Sequence, residues 1–381
     1  MEARGLKGIE VDVTAISTVD GERGELRYRG YRIEELVERA ELLEVVGLVL
    51  DGELPDRAGQ AALEEALRER ALPRAVEGLL AALPRDTHPM TVLQVALPLL
   101  DGAAQKARPR EKRRAEQRAA LLGIAARLPT LVAAWERVRN GRAAIPPDPA
   151  LPLMADFLRM LRGEAPAPLE VTTLEATQIL QMEHGFNAST FTARVAASTL
   201  APLSEVLSAA TGALHGPLHG GADEAAYRMA LAIGDPAAAP GWVDAALARK
   251  EKIMGLGHRE YKVVDPRAVV LKPMARALAR LSGQERVVET LVAVDEHAER
   301  VFAAWGKRVR ANVEFYKGAV FAALGLVPDL FTALFALARV FGWGAHVLEL
   351  WDENALVRPQ ARYVGPPPRP FPARAPLRVV G

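Results

Sequence analysis

Residues 61–71 read Ala-Ala-Leu-Glu-Glu-Ala-Leu-Arg-Glu-Arg-Ala, and residues 34–40 read Glu-Glu-Leu-Val-Glu-Arg-Ala. Both are runs of strong helix formers. From Arg32 onward almost all of the chain keeps this helical period. Pro55, Pro73, Pro84, Pro89 and Pro98 punctuate the next elements, several where a helix begins. The only convincing β material lies at the start. Val11, Val13, Ala15 and Ser17 alternate with smaller or more polar residues, Asp20-Gly21-Glu22-Arg23-Gly24 reads as a turn, and Glu25 to Arg29 as a return strand. The expectation is an all-α protein with a small N-terminal β-hairpin. No internal repeat of fixed period is visible.

Working outward, Ile145-Pro-Pro-Asp-Pro149 and the tail from Pro366 to Pro376 read as extended, Pro-rich connectors. The charge run from Lys106 to Arg118 reads as a solvated helix face. Half of the 381 residues are hydrophobic and a quarter charged, enough for one large core or two domains. The net charge of +1 gives no reason to expect nucleic-acid or membrane binding. With no cysteine, disulfides, thiolate metal sites and a Cys nucleophile are excluded. The most apolar stretches, Thr91 to Leu100, Val320 to Val327 and Leu330 to Val340, are short or interrupted by Asp329 and are not expected to span a membrane. The first residues lack the apolar run of a signal peptide, so the expected location is cytoplasmic.

Four motifs in the second half carry chemistry. In Gly216-Pro217-Leu218-His219-Gly220-Gly221 a glycine-rich turn runs into a helix, placing His219 at or just before its N-terminus. The positive end of the helix dipole favours a neutral imidazole, which can donate a hydrogen bond to an oxygen gaining negative charge. A plain capping histidine looks the same, and His215 has the same local surroundings. In Gly255-Leu256-Gly257-His258-Arg259-Glu260-Tyr261-Lys262, followed by Asp265-Pro266-Arg267, two glycines permit close backbone approach to a ligand. Lys262 and Arg267 add positive charge, which suits an anionic substrate whose carbonyl is polarised by His258. In Asn312-Val313-Glu314-Phe315-Tyr316-Lys317-Gly318 a carboxylate precedes two aromatics. It reads either as a partly desolvated base with a raised pKa or as a surface Glu paired with Lys317. The fourth group is Glu183-His184-Gly185-Phe186-Asn187-Ala188-Ser189-Thr190 with Arg339 and Arg358. Arginine binds carboxylates through two parallel hydrogen bonds, but in so Arg-rich a chain a lone arginine means nothing.

Together these segments resemble the citrate synthase family. The likeness also runs through Gly5-Leu-Lys-Gly8, Thr14-Ala-Ile-Ser17, Leu26-Arg-Tyr-Arg-Gly-Tyr-Arg-Ile33, Gly52-Glu-Leu-Pro55 and His88-Pro-Met90, all in the family's order. The resemblance implies a homodimeric, all-α enzyme that condenses acetyl-CoA with oxaloacetate, without metal or other cofactor. 2-Methylcitrate synthase, which uses propionyl-CoA, and a weakly active ligand-binding paralogue are the alternatives. It implies a large domain at residues 1–219 and 319–381 and a small domain at 220–318, with the site between them. By the same resemblance His219 stabilises the enol of the thioester, His258 polarises the oxaloacetate carbonyl and Glu314 is the base. His184, Arg267 and Arg339 match oxaloacetate-binding positions, and Arg358 an arginine that reaches the partner subunit's site. Gly255, Leu256, Gly257 and Lys262 match a CoA-binding loop, with Lys307 as a further phosphate contact. The chain departs from the pattern at Glu314, where the family usually has Asp, and at Lys317, where it usually has a small residue. Leu256 and Glu260 also differ from the common pattern.

Overall fold

The structure, a computed structural model, describes residues 4–6, 8–100 and 114–371. The N-terminal β material is a three-stranded antiparallel sheet of β1 (Ser17–Asp20), β2 (Glu25–Tyr28) and β3 (Tyr31–Arg32). Ser17 pairs with Tyr28 and Asp20 with Glu25. The turn between them is closed by Asp20, whose Oδ1 accepts the N–H groups of Glu22 (3.1 Å) and Arg23 (2.9 Å). This corrects the expected hairpin in two ways. The alternating residues before Ser17 do not pair as a strand, because the Thr14 hydroxyl and the Ala15 N–H donate to Glu349 Oε1 instead. A tight turn through Arg29 and Gly30, both at positive φ, then returns the chain as a third short strand.

The rest is helical. In the first half lie α1 (Ile33–Arg39), α2 (Leu42–Asp51), α3 (Arg57–Ala66), α4 (Arg74–Ala82), α5 (Pro89–Leu100), α6 (Arg114–Arg139), α7 (Leu153–Arg162) and α8 (Pro168–Gln181). Then come α9 (Ala188–Ser198), α10 (Leu203–His215), α11 (Ala222–Ile233) and α12 (Ala239–Ala248). The last four are α13 (Pro266–Ser282), α14 (Glu285–Ala304), α15 (Val313–Ala323) and α16 (Phe331–Asp352). Local signals set many of these ends. Asp56 caps α3 by accepting the Gly59 N–H at 2.8 Å, Asn187 caps α9, and Pro89 opens α5.

Helix α16 is the central post. It packs against α2, α6, α8, α9 and α10, while α11 to α15 pack chiefly on one another. By length and composition α6 and α16 are apolar enough to cross a membrane, longer runs than the sequence reading anticipated. Yet 78% of the apolar window of α6 and all of that of α16 are covered by neighbouring helices. A helix that is hydrophobic all round is a core helix in this setting. Of the charge run, residues 106–113 lie outside the described residues, while Arg114 and Arg118 open α6 and pair with Asp352 and Asp51. The described part of the Pro-rich tail, to residue 371, has neither helix nor strand.

The sheet and α16 both serve one loop, residues 182–187. Tyr28, fully buried, accepts the Glu183 N–H at 3.1 Å, and its hydroxyl lies 3.0 Å from the carbonyls of Ile179 and Glu183. Ser17 donates to Glu183 Oε1 (3.0 Å) and accepts the Gly185 N–H (3.1 Å). On the other side α16 approaches so closely at Gly342 that a Cβ there would stand 2.3 Å from the Met182 carbonyl oxygen and 2.7 Å from Glu183 Oε2. Gly342→Ala is therefore expected to destabilise the protein by about 1–3 kcal/mol through overpacking. A lowered thermal-unfolding midpoint is the measurement, and an unchanged midpoint would show that the helix can shift freely.

Candidate active site

Where α8, α11, α13, α15 and α16 converge, the structure brings together His184, His219, His258, Arg267, Glu314 and Arg339. Asp265 organises one half of this cluster. As the cap of α13 its carboxylate accepts the Arg267 N–H at 3.0 Å, then holds the Arg267 guanidinium through Oδ1 (3.0 Å) and Oδ2 (2.7 Å). Oδ2 also accepts the N–H of Val313, the first residue of α15, at 3.1 Å. One carboxylate thus fixes both an arginine and the start of the helix that carries Glu314.

A second set of bonds ties Glu314 to His258. Leu256 and Ala311 form an antiparallel bridge, Gly257 N–H donates to the Arg310 carbonyl (2.7 Å), and Asn312 N–H to that of Gly255 (2.9 Å). The Asn312 side chain adds a bond to the Gly257 carbonyl at 2.9 Å. Gly255 is at φ +80°, and a Cβ there would lie 3.0 Å from Phe315 Cα, so only glycine fits. On the far side Lys262 N–H donates to the Gly21 carbonyl in the β1–β2 turn, which anchors the loop to the sheet.

Backbone hydrogen bonds assign His258 and His219 a tautomer. His258 Nδ1 accepts the backbone N–H groups of Glu260 (3.1 Å) and Tyr261 (3.3 Å). Its proton is therefore on Nε2. His219 lies in the tight turn before α11, with Gly220 N–H bonded back to the Leu214 carbonyl. Its Nε2 faces the Ser189 N–H (3.4 Å) and Oγ (2.8 Å), which requires a lone pair there and leaves the proton on Nδ1. Ser189 is itself held by Asn187 and the Trp343 indole. His184 meets the Tyr261 hydroxyl at 3.1 Å, and its ring stands edge-on to His258 with centroids 5.2 Å apart.

Burial and the neighbouring cations together set the protonation states in the cleft. Burial, reinforced by the charge of Arg339, lowers the His219 pKa to about 4. Burial and Arg267 lower that of His258 as well, and take His184 well below the usual range. All three are neutral near pH 7. Glu314 differs from the sequence expectation. Burial pushes its carboxyl up, but Lys317, Arg267 and His258 outweigh it, and the net shift is downward. Its position in the first turn of α15 acts the same way. Lys317 does not pair with Glu314 either: its ammonium lies 3.2 Å from Asp223 Oδ2, with both groups fully buried. Arg339, 2% exposed, donates through Nε to the Gln181 carbonyl (2.8 Å), while its Nη1 has no hydrogen-bond partner. Burial lowers its pKa to about 10.

A cavity of ≈ 430 Å³ opens beside His258, lined in part by Gly257, Lys262, Arg308 and Arg310. Gly255 and Leu256 are not among its lining residues, and Lys307 stands apart with its ammonium 5.6 Å from the Trp305 ring centroid. Arg358 is not brought to the cluster. It is exposed on the tail beyond α16, bonded only to the adjacent Pro359 carbonyl. His215 stacks on His88 at 4.5 Å and joins none of these contacts. Among the described residues no group of three or more His, Cys, Asp and Glu is placed to hold a metal ion. The sequence reading quoted Ser189, Asp223, Tyr261 and Asp265 in its motifs without assigning them a part in the site. The contacts that join Ser189 to His219, Asp223 to Lys317, Tyr261 to His184 and Asp265 to Val313 each span 30 or more residues, so no local pattern marks them.

The family model "Citrate synthase, C-terminal domain" matches residues 5–360. Citrate synthase 2 of Bacillus subtilis is 38% identical over 373 residues, 97% of each chain. A 2-methylcitrate synthase of Mycobacterium tuberculosis is 40% identical over 370 residues, 97% of this chain and 92% of the relative. Among solved structures, the ternary complex of the Thermoplasma acidophilum citrate synthase with carboxymethyl coenzyme A and oxaloacetate superposes with a TM-score of 0.90 at 30% identity, covering 97% of this chain and 98% of that one.

The depressed His219 pKa has a consequence for stability. Between its unfolded value of 6.5 and the folded value of about 4, the unfolded chain binds a proton that the folded chain does not. Stability therefore falls as pH falls through that window. In urea unfolding at a series of pH values, His219→Gln is expected to show a shallower decline from pH 6.5 to 4. An unchanged slope would mean that His219 is not held neutral.

Proposed function

The chain belongs to the citrate synthase family, a family of acyltransferases, and from that premise we propose that it condenses acetyl-CoA with oxaloacetate to citrate and CoA. The observation that carries the reading is the set of protonation states in one cleft: an ionised carboxylate beside two neutral histidines whose free N–H donors are fixed by backbone bonds. Glu314 takes a proton from the acyl methyl group. His219 Nδ1–H hydrogen-bonds the thioester oxygen as charge develops there, giving an enol. The enol carbon attacks the oxaloacetate carbonyl, whose oxygen is polarised by His258 Nε2–H, and water then cleaves the citryl thioester. A donor aimed where charge develops lowers the barrier without reorganisation, which is why neutral, pre-oriented imidazoles suit the task.

Arg339, with an unused Nη1, and Arg267 supply the charge for the two carboxylates of oxaloacetate, with His184 beside them. Lys262, at the cavity, and Lys307, in the loop before α15, meet the phosphates of CoA, with Gly257 in the cavity wall and Gly255 and Leu256 holding that loop in place behind it. Residues 220–318 form the smaller domain, which closes on the rest to exclude water. The Thermoplasma relative is described with oxaloacetate and a CoA derivative bound together, which supports this pairing of ligands. The 2-methylcitrate synthase relative favours a second reading, propionyl-CoA as the acyl donor. One methyl group is worth only about 1–3 kcal/mol of discrimination, so the same scaffold can host either.

Thiol release with oxaloacetate and each acyl-CoA decides between the two donors. Glu314→Gln is expected to abolish condensation and deuterium exchange at the acyl-CoA methyl while oxaloacetate binding is kept. Near-full activity in that variant would assign the base elsewhere and end this mechanism.

The active form is a homodimer in which Arg358 serves the partner's site. Its support is that Arg358 finds no place in its own chain's cleft, and that α5 leaves Val95 (43%) and Leu99 (38%) exposed as apolar contact surface. Mixing inactive His258→Ala with inactive Arg358→Ala should restore activity through hybrid dimers with one intact site. No recovery after verified subunit exchange would count against the crossing.

A further inference from the structure

Three consecutive backbone N–H groups follow His258 along its loop. Those of Glu260 and Tyr261 donate to His258 Nδ1 at 3.1 and 3.3 Å. The next, of Lys262, donates at 2.8 Å to the Gly21 carbonyl in the β1–β2 turn. The segment that sets the His258 tautomer is therefore tied to the N-terminal sheet at the very next amide. Tyr261, between the two bonds, is buried and meets His184 through its hydroxyl at 3.1 Å.

Shape seats the turn on this segment as closely as the hydrogen bond does. A Cβ at Gly21 would stand 2.1 Å from the Glu260 carbonyl oxygen and 2.8 Å from its carbon. One at Gly24 would stand 2.7 Å from Val263 Cγ2 and 3.0 Å from the Val264 carbonyl oxygen. Gly24 is at φ +68°, a conformation that favours glycine in any turn, but Gly21 is not at positive φ. Close approach to Glu260 is what Gly21 serves. Glu22 reaches the wall of the cavity beside His258. The turn is also preformed, because Asp20 Oδ1 closes it onto the N–H groups of Glu22 and Arg23.

We propose that the β1–β2 turn is a positioning element of the active site: through Gly21 it fixes the backbone of residues 260–262, and so presents the two amides that orient His258 and keep its proton on Nε2. This rests on the reading of His258 as the group that polarises oxaloacetate. The turn lies in residues 1–219 and the loop in 220–318, so the contact bridges the two proposed domains.

The test uses three variants of the full chain. Gly21→Ala sets a methyl group against the Glu260 carbonyl and lifts the turn off the loop. Asp20→Ala loosens the turn without a clash and is the reserve should Gly21→Ala not fold. Gly30→Ala is the control. It strains the next turn of the same sheet, at φ +93°, yet its Cβ would meet nothing within 4 Å. Two readouts are needed. The first is the long-range nitrogen–proton correlation of the histidine rings in protein labelled at histidine with nitrogen-15, the His258 signals being assigned by their absence in His258→Gln. The second is kcat and the oxaloacetate KM at saturating acyl-CoA.

Wild-type protein and Gly30→Ala should show His258 with a bare Nδ1 and a protonated Nε2. In Gly21→Ala the His258 signals should move toward a mixture of tautomers. There kcat should fall about tenfold or more, because a donor out of line with the developing charge loses much of its effect. The oxaloacetate KM should stay within roughly threefold, since its carboxylates are bound elsewhere, by Arg267 and Arg339. Asp20→Ala should shift the ring signals and kcat in the same direction by less. Unmoved His258 signals in Gly21→Ala overturn the proposal, and so do moved signals with kcat equal to that of Gly30→Ala. Absence of thiol release by the wild-type protein with both acyl-CoAs would defeat the functional reading instead, and the ring spectrum would still decide whether the turn orients His258.

Discussion

Buried positive charge is the constraint on which the cleft depends. Arg267, Arg339 and Lys317 all lie in the core at 2% exposure or less. Each is costly to place there, and each is compensated differently: Arg267 by a two-point ion pair, Lys317 by one carboxylate and a ring face, Arg339 by a carbonyl and the ring. Their common field has opposite effects on the two kinds of titratable group around them. Burial is what chiefly drives protons off the imidazoles, and the field adds to it, while against the pull of burial the same field keeps the Glu314 carboxyl ionised. The protonation pattern that the proposed enolisation needs is therefore a property of the scaffold itself.

Backbone bonding translates this charge pattern into geometry. Asp265 is at once a helix cap, the partner of Arg267 and the acceptor for Val313, so its loss would disturb three elements together. The Leu256–Ala311 bridge and the Asn312 bonds do the same for His258 and Glu314. Ser189 orients His219 from α9 while Trp343 holds Ser189 from α16. Side chains fixed through a supporting layer of bonds keep their orientation, and catalysis is sensitive to small misplacements.

Much of this was legible in the sequence. Helical period and strong helix formers announced the architecture, and the Gly-rich turns before His219 and His258 marked the two histidines. The resemblance brought His184, Arg267 and Arg339 into the same place. What escaped was pairing across distance. The Glu349 bonds that draw residues 14 and 15 out of the sheet, the Asp223 partner of Lys317 and the Ser189 contact of His219 all join segments far apart in the chain. Local pattern offered Glu314 as the natural partner of Lys317 at i,i+3. Tertiary packing overrode it, because burial of Lys317 between α11 and α16 put a second carboxylate within closer reach.

The extra methylene of Glu314 can be placed in the same terms. The backbone of its helix start is held by Asp265 to Val313 and by Asn312 to Gly255 and Gly257, none of which involves the Glu314 side chain. Gly318, one turn on, packs so tightly that a Cβ would stand 2.5 Å from the Asp223 carbonyl oxygen. Helix α15 is thus pinned at both ends of its first turn and has no freedom to retreat. The added length has to be taken up by side-chain torsions, in a cleft whose cations draw the carboxylate toward them. Lys317 lies one turn on, but its ammonium is taken by Asp223, so the longer carboxylate is not tied down by its own helix neighbour.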